Sequence, residues 1–252
     1  MSQHEPLGFG HQKVQRLRRL VGRRSARYDE AAFVIEGSGL IAEAVSAGWV
    51  IEAQFVGAGG TPVYGASPVY ELGVGVLERV ASTESPQPLL AIAAMPSRSL
   101  HDVAGSTFLA VAAAISDPGN LGTILRSAEA AGAQAVVTLA GTVDPYSPKV
   151  VRSSAGALFH LPVIGPATIA EISALGVTVV GTSSHDGVSY TDFDWTQPVA
   201  VVVGNEAHGV PDDLVIDARV TIPHLGRAES LNVAMAATVL CFEVARQRSR
   251  AR

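Results

Sequence analysis

The chain has 252 residues, 48% hydrophobic and 16% charged, with a formal net charge of −5, which suits a globular protein of one large or two small cores. Its longest apolar runs, 108–115 and 198–203, fall short of the roughly 20 residues a bilayer span needs, and the amino terminus lacks an apolar signal region, so a cytoplasmic protein is expected. Cys241 is the single cysteine, which excludes an internal disulfide and a cysteine-based metal site; among Leu240, Phe242 and Val244 it reads as core, and no metal is expected.

Charge is unevenly spread. Lys13, Arg16, Arg18, Arg19, Arg23, Arg24 and Arg27 place seven cations in fifteen residues with no acid among them, and Arg246, Arg248, Arg250 and Arg252 close the chain. Such a run suits either a solvated helix face or phosphate contact. A basic helix is followed by a strand at 32–35, a helix at 38–47 bounded by Gly48, and a strand at 51–56, together a small α/β unit. Residues 57–68 are rich in glycine and proline, 76–80 suit a short helix and 89–94 a strand. Residues 95–106 carry proline, serine, arginine and glycine without an apolar period, which predicts a boundary near residue 100 and two domains, 1–100 and 101–252.

Beyond that boundary apolar runs at 108–115, 135–139, 177–181, 199–203 and 220–222 alternate with helical patterns, predicting a parallel sheet covered by helices on both faces. After Asn120, which suits a helix cap, Leu121, Ile124, Leu125 and Ala128 recur at helical spacing, with Arg126 facing away from that stripe. A last helix is expected to start near Ser230 as N-cap, with Leu231, Ala234, Met235, Thr238 and Cys241 on one side and terminal arginines that complement its dipole.

Common nucleotide fingerprints are absent. There is no GxxxxGK[ST], and neither Gly37-Ser-Gly39 nor Gly73-Val-Gly75 completes GxGxxG, which speaks against a P-loop enzyme or a nicotinamide dehydrogenase. Three segments remain at the carboxyl ends of predicted strands, where open α/β sheets gather ligands: Ser116 to Gly132, Val203 to Pro211 and Ile222 to Ala237.

In order and spacing these segments resemble the SpoU/TrmH branch of the SPOUT superfamily, whose motifs read roughly N-x-G-x-x-x-R-x-A, G-N-E-x-x-G and I-P-x-x-G-x-x-E-S-L-N-V; residues 120–128, 204–209 and 222–233 match all three. Residues 13–51 resemble the substrate-binding domain that many of these enzymes carry ahead of the catalytic one. The resemblance implies a trefoil-knotted α/β methyltransferase domain with a parallel sheet, preceded by a small L30e-like α/β domain. It implies S-adenosylmethionine as cofactor, a ribose 2′-hydroxyl of structured RNA as acceptor, and a homodimer. The separate first domain favours ribosomal RNA, 23S in particular, over transfer RNA. A noncatalytic RNA-binding ribosome-assembly protein on the same fold is the alternative of a different class.

Carried over residue by residue, the resemblance assigns the reaction to Arg126, Asn120, Glu206, Ser230 and Asn232, and cofactor contact to Thr182, Gly204, Ile222 and Leu231. Arg16, Arg19, Arg23, Arg24 and Arg152 are the expected substrate contacts, Arg152 with the partner subunit as another option. Arg126 is expected either to accept the hydroxyl proton or to act electrostatically. His208, His160, His185 and His224 are read as structural or surface residues.

Overall fold

A computed structural model describes residues 5–65, 68–184, 186–205, 209–211, 214–227 and 230–251. Two compact units result: Met1–Ser97 with Asp144–Phe159, and Arg98–Val143 with His160–Arg252. In the first unit the elements are α1 (Gln12–Gly22), α2 (Arg24–Asp29), β1 (Ala32–Glu36), α3 (Ser38–Ser46), β2 (Ile51–Val56), β3 (Val69–Glu71), α4 (Val76–Val80) and β4 (Leu89–Ala94). The second holds β5 (Phe108–Ala112), α5 (Pro118–Ala130) and β6 (Ala135–Leu139). The chain then supplies α6 (Pro148–Ser153) to the first unit and returns with β7 (Val163–Ala167), α7 (Ile169–Ser173), β8 (Thr178–Ser183), β9 (Val188–Ser189), β10 (Val199–Val203), β11 (Ala218–Thr221) and α8 (Val233–Arg250).

The first unit is a four-stranded sheet ordered β1-β4-β2-β3, with β4 antiparallel to both neighbours and β3 parallel to β2. Val14, Leu17 and Leu20 recur every third residue along α1 and are fully buried in a core with Val34, Phe55 and Leu77. Instead of one basic helix there are two, because Arg23 takes an extended backbone (φ −127°, ψ 120°) between them. That break turns Arg27 inward. Its Nε and Nη2 donate to Asp144 Oδ2 at 2.6 and 2.5 Å and its Nη1 to the carbonyl of Leu20 at 2.7 Å, with both side chains 5% exposed. Asp144 Oδ1 also accepts from Tyr146 N at 2.9 Å and Tyr28 Oη at 3.3 Å; burial, with the Asp144 carboxylate, holds the Tyr28 phenol above its usual pKa. Nearby, Trp49 Nε1 donates to the Phe159 carbonyl at 2.9 Å, and Phe33 meets Trp49 edge to face and Tyr146 at a tilt.

The second unit is a seven-stranded, wholly parallel sheet ordered β7-β6-β5-β10-β8-β11-β9. Strands β5, β6 and β10 are buried along their whole length, which is why they read as unbroken Val/Ala/Leu runs rather than alternating ones. β5 stops at Ala112, short of the apolar run's end at Ile115, because Ala114 adopts a left-handed backbone at φ 54°.

The last helix starts at Val233 with Asn232, not Ser230, as its N-cap, and of the residues expected together on one side Ala234 and Cys241 are buried while Leu231 and Met235 are 38% and 62% exposed. Its buried residues include Ala237, Leu240, Cys241 and Val244. Not all of the closing arginines are left to solvent. Arg248 donates to the carbonyls of Thr107, Trp195 and Gln197 at 2.7 to 3.0 Å, tying α8 to the segments that enter β5 and β10. No helix among the described residues is long and apolar enough to cross a membrane.

The protein's two tryptophans, Trp49 and Trp195, lie one in each unit, so each unit's unfolding can be followed separately. Asp144→Ala strands a buried guanidinium and is expected to cost about 3–5 kcal/mol, measured by urea unfolding through Trp49 in a Trp195→Phe background; a loss below about 1 kcal/mol would contradict the buried pair. Burial pushes the Cys241 thiol up to about 12, so a maleimide should leave it unlabelled at pH 8 in the native protein and label it fully in 6 M guanidinium.

Candidate functional site

In the parallel sheet, the order reverses between β5 and β10: connections from β5 run outward through β6 and β7, while β8, β11 and β9 lie beyond β10. Loops leaving the carboxyl ends of two such strands diverge and open a crevice. Here they are held together. Ala113 N donates to the Val203 carbonyl at 2.9 Å, extending the ladder past β5, and Asn205 Nδ2 donates to the carbonyl of the left-handed Ala114 at 3.0 Å.

From that corner the first loop enters α5. Asp117, not Asn120, is the N-cap: its Oδ1 accepts from Asn120 N at 2.9 Å, and Pro118 occupies the first helical turn. An Asp immediately before a Pro at a helix start is the sequence signal that locates this cap. The Asn120 side chain is not the cap; its Oδ1 accepts from Asn232 Nδ2 at 3.1 Å. Asn232 in turn takes the Ala234 and Met235 amides on Oδ1 at 2.9 and 3.3 Å. Amide N–H groups can only donate, so the Asn232 carboxamide orientation is set by the helix end and its NH₂ must face Asn120. Beyond this bond, Ser127 and Thr238 hydroxyls meet at 2.6 Å between α5 and α8. Arg126 is exposed on α5, as expected, and makes no ion pair among the described residues.

The second loop is closed by a pair of backbone hydrogen bonds between Asn205 and Gly209, each 2.8 Å. A Cβ at Gly204 would collide with the Gly209 carbonyl and with Val210 N, both of them backbone, so only glycine fits. Thr182, Gly204 and Ile222 sit at or near the carboxyl ends of β8, β10 and β11, strands that are adjacent in the order β10-β8-β11. Gly204 is buried, Thr182 and Ile222 half-buried, and Leu231 partly exposed. Ser230 is exposed ahead of α8, and His224 Nε2 is buried without a partner among the described residues. Glu206, His208 and His185 lie outside the described residues.

In the first unit, the expected substrate arginines separate by surroundings. Arg16 is held between Glu30 and Glu52 at 2.6 and 2.7 Å, Arg19 reaches Glu30 at 3.4 Å, and Arg24 lies over the Tyr28 ring. Arg152 donates to Ser82 Oγ at 2.5 Å and to the buried Glu36 carboxylate at 3.3 Å within the same unit. Arg23 is exposed.

Three substitutions test this geometry. Gly204→Ala forces a side-chain atom into backbone and is expected to destabilise the second unit by about 3 kcal/mol or more, read by urea unfolding through Trp195. Asn232→Ala removes the cap, with an expected loss of about 1 kcal/mol, whereas Asn232→Asp keeps the cap, loses only the donor to Asn120 and should stay near wild-type stability. Equal losses in both would argue against capping by Asn232.

Comparison with known proteins gives two family models: "SpoU rRNA Methylase family" over residues 107–242, and "MRM3-like substrate binding domain" over residues 11–91. The chain is 34% identical to the 23S rRNA (guanosine(2553)-2′-O)-methyltransferase RlmP of Bacillus subtilis, over 93% of this chain and 96% of that protein. It is 31% identical to a 23S rRNA (uridine(2479)-2′-O)-methyltransferase of Streptomyces viridochromogenes, over 94% and 90%. Among solved structures, the SpoU methyltransferase AviRb of Streptomyces viridochromogenes, in complex with AdoMet, superposes with a TM-score of 0.85 at 30% identity, over 96% of this chain and all of that one. With its three motif loops gathered at one corner of a parallel sheet, the chain belongs to the SpoU rRNA methylase family.

Proposed function

We propose that this protein is an S-adenosylmethionine-dependent methyltransferase that modifies a ribose 2′-hydroxyl of 23S ribosomal RNA. One observation carries the reading: Asn205 on Ala114 and Asn232 on Asn120 bring the three motif loops to a single site at the carboxyl ends of the strands. The RNA class rests on the relatives, whose names specify 2′-O-methylation of 23S rRNA.

The residues present fit the cofactor. Gly204 lies buried at the end of β10, next to the strand that carries Thr182; Ile222 and Leu231 supply partly exposed apolar surface, and the buried His224 Nε2, without a partner among the described residues, is a polar atom that a ligand can satisfy. When bound, S-adenosylmethionine supplies an electrophilic methyl group. The chain must then align the hydroxyl and stabilise the charge its oxygen develops. Arg126 suits this role because its guanidinium offers donors and no acceptor, is exposed and is not claimed by a carboxylate among the described residues. It holds the phosphate beside the target ribose and the developing alkoxide, while Asn120 and Asn232 fix the ends of α5 and α8 that present it. Glu206 and Ser230 complete the proposed set.

Residues 101–252 form the catalytic domain in this reading, trefoil-knotted at its carboxyl-terminal end, and 1–100 the RNA-binding domain. The enzyme acts in the cytoplasm as a homodimer. Met235 and Phe242, seven residues apart on α8 and 62% and 48% exposed, are the apolar surface that a second copy covers.

Tritiated S-adenosylmethionine, incubated with deproteinised 23S rRNA and separately with total transfer RNA, tests the proposal. Label is expected in 23S rRNA at a nucleotide whose 3′ phosphodiester resists alkali, and Arg126→Ala should cut the rate about 100-fold or more, the cost of losing one charge-stabilising donor, without loss of cofactor binding. Label in transfer RNA alone would overturn the substrate, and cofactor binding with no label in any RNA, assembled large subunits included, would overturn the activity.

A further inference from the structure

Resting on that functional reading, the first unit bears a feature that the motif sites do not explain. The sequence run of cations divides in three dimensions. Arg16 and Arg27 are occupied by carboxylates, whereas Arg18, Arg19 and Arg23 are exposed along one side of α1 and its end. Gln15, Arg18, Arg19 and Gly22 fall three, four and seven apart and so share a face. Arg79, in the last turn of α4, joins that face from across a cleft of about 490 Å³ that has no carboxylate among its lining residues. Among the described residues Arg19 alone of these is shared with an acid, Glu30 at 3.4 Å.

Phe9 organises the cleft. Gln15 Nε2 donates to its carbonyl at 2.6 Å, the Arg79 guanidinium lies 3.5 Å from its ring centroid, and that of Arg18 5.4 Å. A guanidinium held against an aromatic face keeps its N–H edges free, in a plane set in advance, so less conformational freedom is lost when those edges meet an anion. Four gathered cations in a chain of net charge −5 repel one another until a polyanion enters.

We propose that this cleft seats successive backbone phosphates of the RNA substrate, and that Arg18, Arg23 and Arg79 are its gripping residues. A concave, fork-lined cleft matches the raised phosphate ridge of structured RNA, which is recognised by shape and backbone rather than base edges. A flat membrane surface cannot enter it.

The test is filter binding of the full-length protein to deproteinised 23S rRNA across 50–200 mM salt, with methyl transfer followed in parallel. Arg18→Ala/Arg23→Ala/Arg79→Ala should weaken binding at least about tenfold and flatten the salt dependence by about 2–3 in log–log slope, one lost phosphate contact per arginine. Melting temperature and S-adenosylmethionine binding should be unchanged, and the triple lysine variant should recover most of the slope. As a check needing no variant, RNA should protect Arg18, Arg23 and Arg79 of the wild type from phenylglyoxal, read by mass spectrometry. Wild-type methylation with an unweakened alanine variant, or no protection of the three arginines, overturns the cleft and leaves the activity standing. Weakened binding and protection in a protein that transfers no methyl group to any RNA, assembled large subunits included, would support the cleft and sink the activity. A wild type that ignores RNA, or a variant that loosens binding to anionic phosphatidylglycerol vesicles but not to RNA, overturns the cleft as an RNA site.

Discussion

Everything proposed for the catalytic unit depends on the ladder between β5 and β10. These two strands are central in the sheet, buried on both faces, and their pairing continues one bond further, from Ala113 to Val203, before the chains part. Parting strands would normally send their loops in opposite directions. Asn205 prevents that by binding the carbonyl of Ala114, whose left-handed backbone turns that carbonyl toward it. A non-glycine residue at positive φ costs of the order of 1 kcal/mol or more and persists only where its surroundings enforce it; here the enforcement comes from the second motif loop. The strain, the Gly204 close approach and the Asn120–Asn232 bond form one connected arrangement, in which each loop is positioned by a neighbour distant in sequence.

The arginines show how little residue type alone says about role. Arg27 and Arg248 are cations by sequence and structural fasteners in the fold: one is buried on Asp144, the other is tied to three carbonyls and held below its usual pKa by burial. Arg16 and Arg152 are tied to acidic neighbours inside the first unit. Arg126, Arg18, Arg23 and Arg79 remain exposed. Nothing in the local sequence separates the two groups, because, apart from the Leu20 and Val21 carbonyls on Arg27, their partners come from residues 14 to 141 positions away. The separation is physical: a buried guanidinium needs a carboxylate or carbonyl to offset its lost hydration, so a paired one is already committed, while an exposed one is free to meet phosphate.

The sequence by itself determined the elements with strong periodicity and the chemistry of the three motif segments. β2, α4, β4, β6 and β10 lie where apolar runs and turn residues predict them, since burial demands those patterns from any chain that forms such elements. Arg126 faces outward for the same reason: helical spacing leaves it off the apolar stripe. Local rules failed where two local solutions compete. Ser230 and Asn232 are both good caps, and Asn120 and Asp117 likewise; the choice went to Asn232 and Asp117 because the network between α5 and α8 uses the Asn232 amide and leaves the Asn120 oxygen to receive it. β7 buries only its first two residues before Gly165 and Pro166, and β9 is two residues long, so neither shows a period. Only tertiary structure decided that Asp144–Phe159 belongs with the first unit, that β5 lies beside β10, and that Arg79 joins Arg18, because each of these is a pairing between segments far apart in the chain, and a pairing of that kind is set by shape and charge in three dimensions rather than by neighbours in sequence.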